Sequence, residues 1–166
     1  MKNILLISAT SGNNYQLAKE IESLLKTKDA NYNLIKLDDF SIPLYHPKIE
    51  KSTESKDITE IDKLFQNAEG FIFCAPEYNG STPPILTNVI AWISVKTSNW
   101  RGAFNGKSAL ICTHSGGMGN NFISSLRIQL NHLGVMVLPR TIRKTDDSPF
   151  KPESASLILD QLISIT

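Results

Sequence analysis

Residues 3–8 (NILLIS) run directly into Ala9-Thr10-Ser11-Gly12-Asn13-Asn14 and then into residues 15–26 (YQLAKEIESLLK). The first segment is apolar without alternation, the pattern of a strand buried on both faces of a parallel sheet. The last places Leu17, Ile21, Leu24 and Leu25 on one stripe and leaves Lys19, Glu20 and Lys26 outside it, as an amphipathic helix would. A buried strand, a short polar turn and a helix make the opening of a βαβ unit.

The theme recurs along the chain. Short apolar runs at 32–37 (YNLIKL), 70–75 (GFIFCA), 108–113 (SALICT) and 135–138 (VMVL) read as further strands. Helical spacing falls between them: Ile58, Ile61, Leu64 and Phe65 in 57–67; an opening proline in 84–93; Phe122, Leu126, Leu130 and Leu133 in 121–133; Leu157, Ile158, Leu162 and Ile165 in 154–165. Gly134 stops the fourth helix. Regular alternation predicts an α/β fold: a three-layer, doubly wound, five-stranded parallel sheet of flavodoxin-like order 2-1-3-4-5. The irregular stretch 38–56, with Pro43 and Pro47, reads as a long loop over one edge. The whole of 1–166 reads as one domain.

Composition narrows the function. The chain has 166 residues, 41% hydrophobic and 20% charged, which excludes disordered and low-complexity classes. Lys and Arg number 17 against 16 Asp and Glu, a net charge of +1. Nucleic-acid binding needs clustered phosphate-neutralising charge, so no nucleic-acid partner is expected. No apolar run approaches about 18 residues, and the start has no secretory h-region, so neither membrane insertion nor export is expected. Cys74 and Cys112 lie in apolar runs, without disulfide-framework or metal-ligand spacing, and His46, His114 and His132 are scattered. A reduced, cytoplasmic protein without a metal site is the expectation.

Ligands of doubly wound sheets sit at the carboxyl ends of the strands, near the point where strand order reverses. That selects three loops. The first, Ser8 to Asn14, offers Ser8, Thr10, Ser11, Gly12, Asn13 and Asn14 before a helix, a set of neutral donors suited to an anion such as phosphate. It matches neither the dinucleotide fingerprint nor the P-loop. One or two of these residues would serve as an ordinary helix cap. The second, Ala75-Pro76-Glu77-Tyr78-Asn79-Gly80-Ser81-Thr82-Pro83-Pro84, has stiff ends, a turn signal at Asn79-Gly80 and an aromatic ring for a planar ligand. By composition it reads equally as a rigid turn with Glu77 solvated. The third, Thr113 to Asn121, holds Ser115, Gly116, Gly117 and Gly119, where bare backbone can approach a ligand plane.

The run P-E-Y-N-G-S at 76–81, continued by P-x-L-x-N-x-I-x-W-x-S from Pro84 to Ser94, closely resembles the NADPH-dependent FMN reductase family. Ser8, the N-x-x-L-A of Asn14 to Ala18, the S-x-G-x-G of Ser115 to Gly119, Leu126-Arg127 and Leu133-Gly134 extend the likeness over roughly residues 3 to 139. The resemblance implies that the first loop holds the phosphate of bound FMN. It implies too that Pro76, Glu77, Tyr78, Asn79 and Gly80 contact the ring and ribityl chain, with Ser115, Gly116, Gly117 and Gly119 flanking the opposite side. Thr10-Ser11-Gly12-Asn13 stands where the family usually carries an Arg and a longer loop, and is closer to a flavodoxin phosphate loop.

The activity so implied is FMN-dependent NAD(P)H oxidation, with NADPH or NADH as donor and a quinone, flavin, azo compound or metal oxyanion as acceptor. Such chemistry belongs to the cofactor, so no protein group is expected to be catalytic. The alternative is a flavodoxin-type electron carrier, which docks by charge; +1 gives it little steering. Residues 84–94 are apolar nearly all round, which suits either a central core helix or a subunit contact at Trp92; the resemblance favours a homodimer or dimer of dimers. The 38–56 loop and a partner subunit are expected to wall the acceptor pocket.

Overall fold

The computed structural model describes residues 1–96 and 99–166. Four strands, β1 (Lys2–Ser8), β2 (Ala30–Lys36), β3 (Gly70–Cys74) and β4 (Ser108–His114), lie parallel. The sheet runs β2-β1-β3-β4-β5, the order expected. The edge beside β4 is built in two pieces. β5 (Met136–Val137) pairs with Ser108 and Ala109, and β6 (Ile142–Lys144) pairs with Cys112, Thr113 and His114. Pattern alone predicts a single strand over 135–138. Pro139, which has no N–H to donate, follows Leu138 and separates the pieces.

Alternation along β1 explains the three layers. Leu5 and Ile7 point to one face and Ile4 and Leu6 to the other, all at most 2% exposed. The first face carries α2 (Lys56–Asn67), α3 (Pro84–Lys96) and α4 (Asn120–His132); the second carries α1 (Asn13–Leu25) and α5 (Pro152–Ile165). On the first face Phe65 packs at 5.4 Å from Phe71 and 5.7 Å from Phe104, centroid to centroid. Each such pair contributes about 0.5–1.5 kcal/mol beyond its buried area.

The loop of residues 40–55 is pinned onto α3. The carbonyl of Pro43 accepts from Trp92 Nε1 at 2.7 Å and from Asn88 Nδ2 at 3.0 Å, while Asn88 Oδ1 accepts from the Tyr45 N–H at 2.7 Å. Tyr45 meets Trp92 edge-on at 5.3 Å. Trp92 is fully buried within one chain. The all-round apolarity of α3 is therefore satisfied by the sheet on one side and this loop on the other, and Trp92 is not on offer to a second subunit.

Candidate functional site

β1, β3 and β4 end in register, Ser8 beside Cys74 and Cys74 beside Cys112, so the three loops that follow emerge side by side. They enclose a cavity of about 390 Å³. Thr10, Gly12, Asn13 and Asn14 line it from the first loop, Pro76, Glu77 and Tyr78 from the second, and Ser115 and Gly116 from the third. A neighbouring hollow of about 320 Å³ shares Glu77, Ser115 and Gly116 and adds Gly117 and Gly119. Ser8, Ser11, Asn79 and Gly80 line neither. Nor does any residue of 40–55, so the long loop braces α3 instead of walling the pocket.

α1 begins at Asn13, two residues before the predicted start, and Gly12 caps it without a side chain. The N–H groups of Thr10, Gly12, Asn13 and Asn14 have no protein partner among the described residues. They converge with the positive end of the helix dipole, the arrangement that binds anions. Three of the loop's side chains, those of Ser8, Ser11 and Asn14, are engaged within the protein. Ser8 Oγ, fully buried, donates to the Thr10 carbonyl at 2.7 Å. Ser11 donates from both N–H (2.8 Å) and Oγ (2.5 Å) to Asp38 Oδ2. Asn14 is 2% exposed; its Nδ2 donates to the His114 carbonyl and its Oδ1 accepts the His114 N–H, each at 2.8 Å. Backbone N–H groups, with the Thr10 hydroxyl and the Asn13 amide beside them, are thus what the loop presents.

The second loop folds as a two-residue hairpin. Tyr78 and Ser81 exchange backbone hydrogen bonds at 3.1 and 3.0 Å around Asn79 (φ 50°) and Gly80 (φ 68°). Positive φ at both positions is the type I′ turn for which Asn-Gly is selected. The turn leaves Tyr78 47% exposed at the cavity rim. Glu77, half-buried, is tied to its neighbours and is not a free surface acid. Its Oε2 accepts from the N–H groups of Asn121 (2.9 Å) and Phe122 (3.1 Å) at the start of α4, and its own N–H donates to Ser115 Oγ at 2.9 Å. A carboxylate on a helix N-terminus is favourable both as acceptor and as charge. The second and third loops are locked together through it.

Gly119 has φ 64°, and a Cβ there would lie 2.8 Å from Thr113 Cγ2, so this glycine is required by the chain itself. Gly12, Gly116 and Gly117 have nothing within 4 Å of where a Cβ would project. Two cavity residues escape a motif search: His114 and Asp146. His114 Nε2 lies 3.5 Å from Asp146 Oδ1, and His114 Nδ1 is buried without a hydrogen-bond partner. The apposition depends on β6 pairing with β4, which no local pattern announces. No Lys or Arg lines the cavity. No group of His, Cys, Asp and Glu among the described residues could hold a metal ion.

The fold recurs in solved structures. FerB, a flavoenzyme NAD(P)H:(acceptor) oxidoreductase from Paracoccus denitrificans, superposes with a TM-score of 0.77 at 17% identity, over 99% of this chain and 95% of that one. An azoreductase from Bacillus anthracis strain Sterne gives 0.68 at 13% identity, over 99% and 93%. A flavodoxin from the domain Archaea gives 0.65 at 14%, over 99% of each chain. No curated protein sequence matches the chain. The profile of NADPH-dependent FMN reductases matches residues 1–146, a span that takes in β1 through β6 and all three loops. The chain belongs to the NADPH-dependent FMN reductase family.

Proposed function

We propose that this protein is an FMN-dependent oxidoreductase that takes hydride from NADPH or NADH and reduces a quinone, a flavin or a similar small acceptor such as an azo compound or metal oxyanion. One observation carries the reading: open N–H groups at the start of α1 share a 390 Å³ cavity with Tyr78 and with bare backbone at Gly116. A phosphate-bearing planar ligand needs that combination. The residues present fit FMN. Thr10, Gly12, Asn13 and Asn14 would hold its phosphate by backbone. Pro76, Glu77 and Tyr78, with Ser115, Gly116, Gly117 and Gly119, would hold the ring and ribityl chain, and the Asn79-Gly80 turn would position Tyr78. FMN, when bound, supplies the hydride and electron chemistry. The protein's part is to orient the ring through the Glu77-braced loops and to limit water. No side chain is assigned a catalytic proton.

The test is optical. Purified protein saturated with FMN should lose the flavin's visible band on anaerobic addition of NADH or NADPH and regain it with a quinone. FMN-loaded protein that leaves both nicotinamides unoxidised in the presence of a quinone overturns the reading. A flavodoxin-type carrier is the second reading, supported by the archaeal flavodoxin of matching extent and by a first loop without Arg. It predicts FMN binding with reduction by one-electron donors only. The net charge of +1 weighs against it, because carriers of that kind find partners by charge.

We propose a homodimer as the working form. Tyr78 and Met118 at the cavities' rims are 47% and 50% exposed and would be covered by a second copy. A monomeric mass by light scattering at micromolar concentration excludes it. No helix among the described residues is long and apolar enough to cross a membrane; a reduced cytoplasmic setting is proposed from free Cys74 and Cys112.

A further inference from the structure

Immediately after β2, Leu37–Asp39 forms a single 3-10 turn. Leu37 is fully buried and anchors it, which leaves Asp38 and Asp39 at the surface. Asp39 is neutralised by Lys36, Nζ to Oδ1 2.8 Å. Asp38 instead reaches the first loop, where its Oδ2 accepts both the N–H (2.8 Å) and the hydroxyl (2.5 Å) of Ser11. Among the described residues Asp38 has no ion-pair partner. The nearby Lys36 is hydrogen-bonded to Asp39 and feels Asp38 only at longer range, so it offsets that charge in part.

A carboxylate is therefore docked on the loop that offers its backbone to a phosphate, one residue from Gly12, which lines the cavity. Two effects of opposite sense follow. The hydrogen bonds hold Ser11 outward, since Ser11 lines neither hollow while Thr10, Gly12, Asn13 and Asn14 do. The charge repels a dianion bound beside it, with no Lys or Arg in the cavity to compensate. Any acceptor preserves the first effect; only a carboxylate produces the second.

We infer that Asp38 is a specificity-determining residue that lowers the loop's affinity for a phosphate dianion, so that the protein distinguishes FMN from uncharged riboflavin less than its donors alone would allow. The inference rests on the FMN reading above. It makes FMN a ligand that exchanges, with Asp38 as the element that limits its hold.

The experiment titrates wild type, Asp38→Asn and Asp38→Ala with FMN and with riboflavin, following quenching of flavin fluorescence at low and high salt, with circular dichroism to confirm folding. Asp38→Asn keeps an acceptor oxygen for Ser11 and removes the charge. It should bind FMN about five- to thirtyfold tighter at low salt, with the gain shrinking toward about 0.5 M salt and riboflavin affinity within about twofold of wild type. Asp38→Ala, which frees Ser11 as well, should gain less than Asp38→Asn. An equal shift for both flavins, a gain insensitive to salt, weaker FMN binding, or no change while wild type binds FMN overturns the inference and leaves the FMN reading standing. Folded wild type and variants that all fail to bind FMN overturn both.

Discussion

Asn14 and His114 are joined by a reciprocal pair of hydrogen bonds, Nδ2 to carbonyl and N–H to Oδ1, both 2.8 Å, across 100 residues of sequence. One buried amide therefore sets the distance between the start of α1 and the end of β4, the two walls between which a ligand would lie. Only an amide of this length presents a donor and an acceptor to both groups of one peptide backbone.

Asn14→Ala leaves the His114 N–H and carbonyl unsatisfied beside a site that is 2% exposed. The expected cost is about 2–4 kcal/mol, from two buried hydrogen bonds lost together. Urea unfolding measures it. Asn14→Asp, which keeps the acceptor and sets a carboxylate against the His114 carbonyl, should not rescue stability. Asn14→Ala within about 0.5 kcal/mol of wild type would remove the amide from its bridging role.

Glu77→Ala deprives the first turn of α4 of its acceptor at Asn121 and Phe122. A loss of about 1–2 kcal/mol is expected, as for other helix-capping side chains. Glu77→Gln retains an oxygen and should recover roughly half of it. Equal losses for the two variants in denaturant titrations would show that charge alone, and not the acceptor geometry, carries the contact.

The hairpin at 78–81 makes an asymmetric prediction. Asn79→Gly should change stability by less than about 0.5 kcal/mol, because glycine adopts φ 50° freely. Gly80→Ala forces an L side chain to φ 68° and should cost about 1–2 kcal/mol. Thermal melts of the two variants read this directly. A Gly80→Ala protein as stable as Asn79→Gly would mean that the turn relaxes to another type.

Lys107 offers a test by pH. Its Nζ donates to the carbonyls of Phe65 (2.7 Å) and Gln66 (3.0 Å), and burial pushes its pKa from 10.5 down to about 8, with Glu69 opposing. Between these values the unfolded chain binds the extra proton, so stability rises with pH across that window and levels off above it. With its partial exposure discounted, wild type should gain up to about 1 kcal/mol, or about 2–4 °C in Tm, on Lys107→Met between pH 8 and 10. Parallel Tm curves for the two proteins would contradict it.

The strand runs NILLIS, GFIFCA and SALICT were legible because each is a continuous apolar stretch that only a doubly covered sheet accommodates. The turn at Asn79-Gly80 was legible from local chemistry alone. The edge beside β4 was not, since β5 and β6 are two and three residues long and owe their existence to pairing with β4, not to any periodicity of their own. Asp38 and Asp146 carry no local signal for the same reason. Each acquires its meaning from a neighbour supplied by the sheet order.

Pattern along the chain thus determined the layers, the strand order and which three loops face one another, because hydrophobic periodicity and turn chemistry are local properties that burial then enforces. Tertiary structure alone decided what those loops offer. It spent the side chains of Ser8, Ser11, Asn14 and Glu77 on holding the loops, left backbone N–H groups open at the start of α1, and closed Trp92 under residues 40–55. A polar side chain has only a few hydrogen bonds to give, and whether it gives them to a ligand or to the fold depends on what lies within about 3 Å of it once the chain has closed.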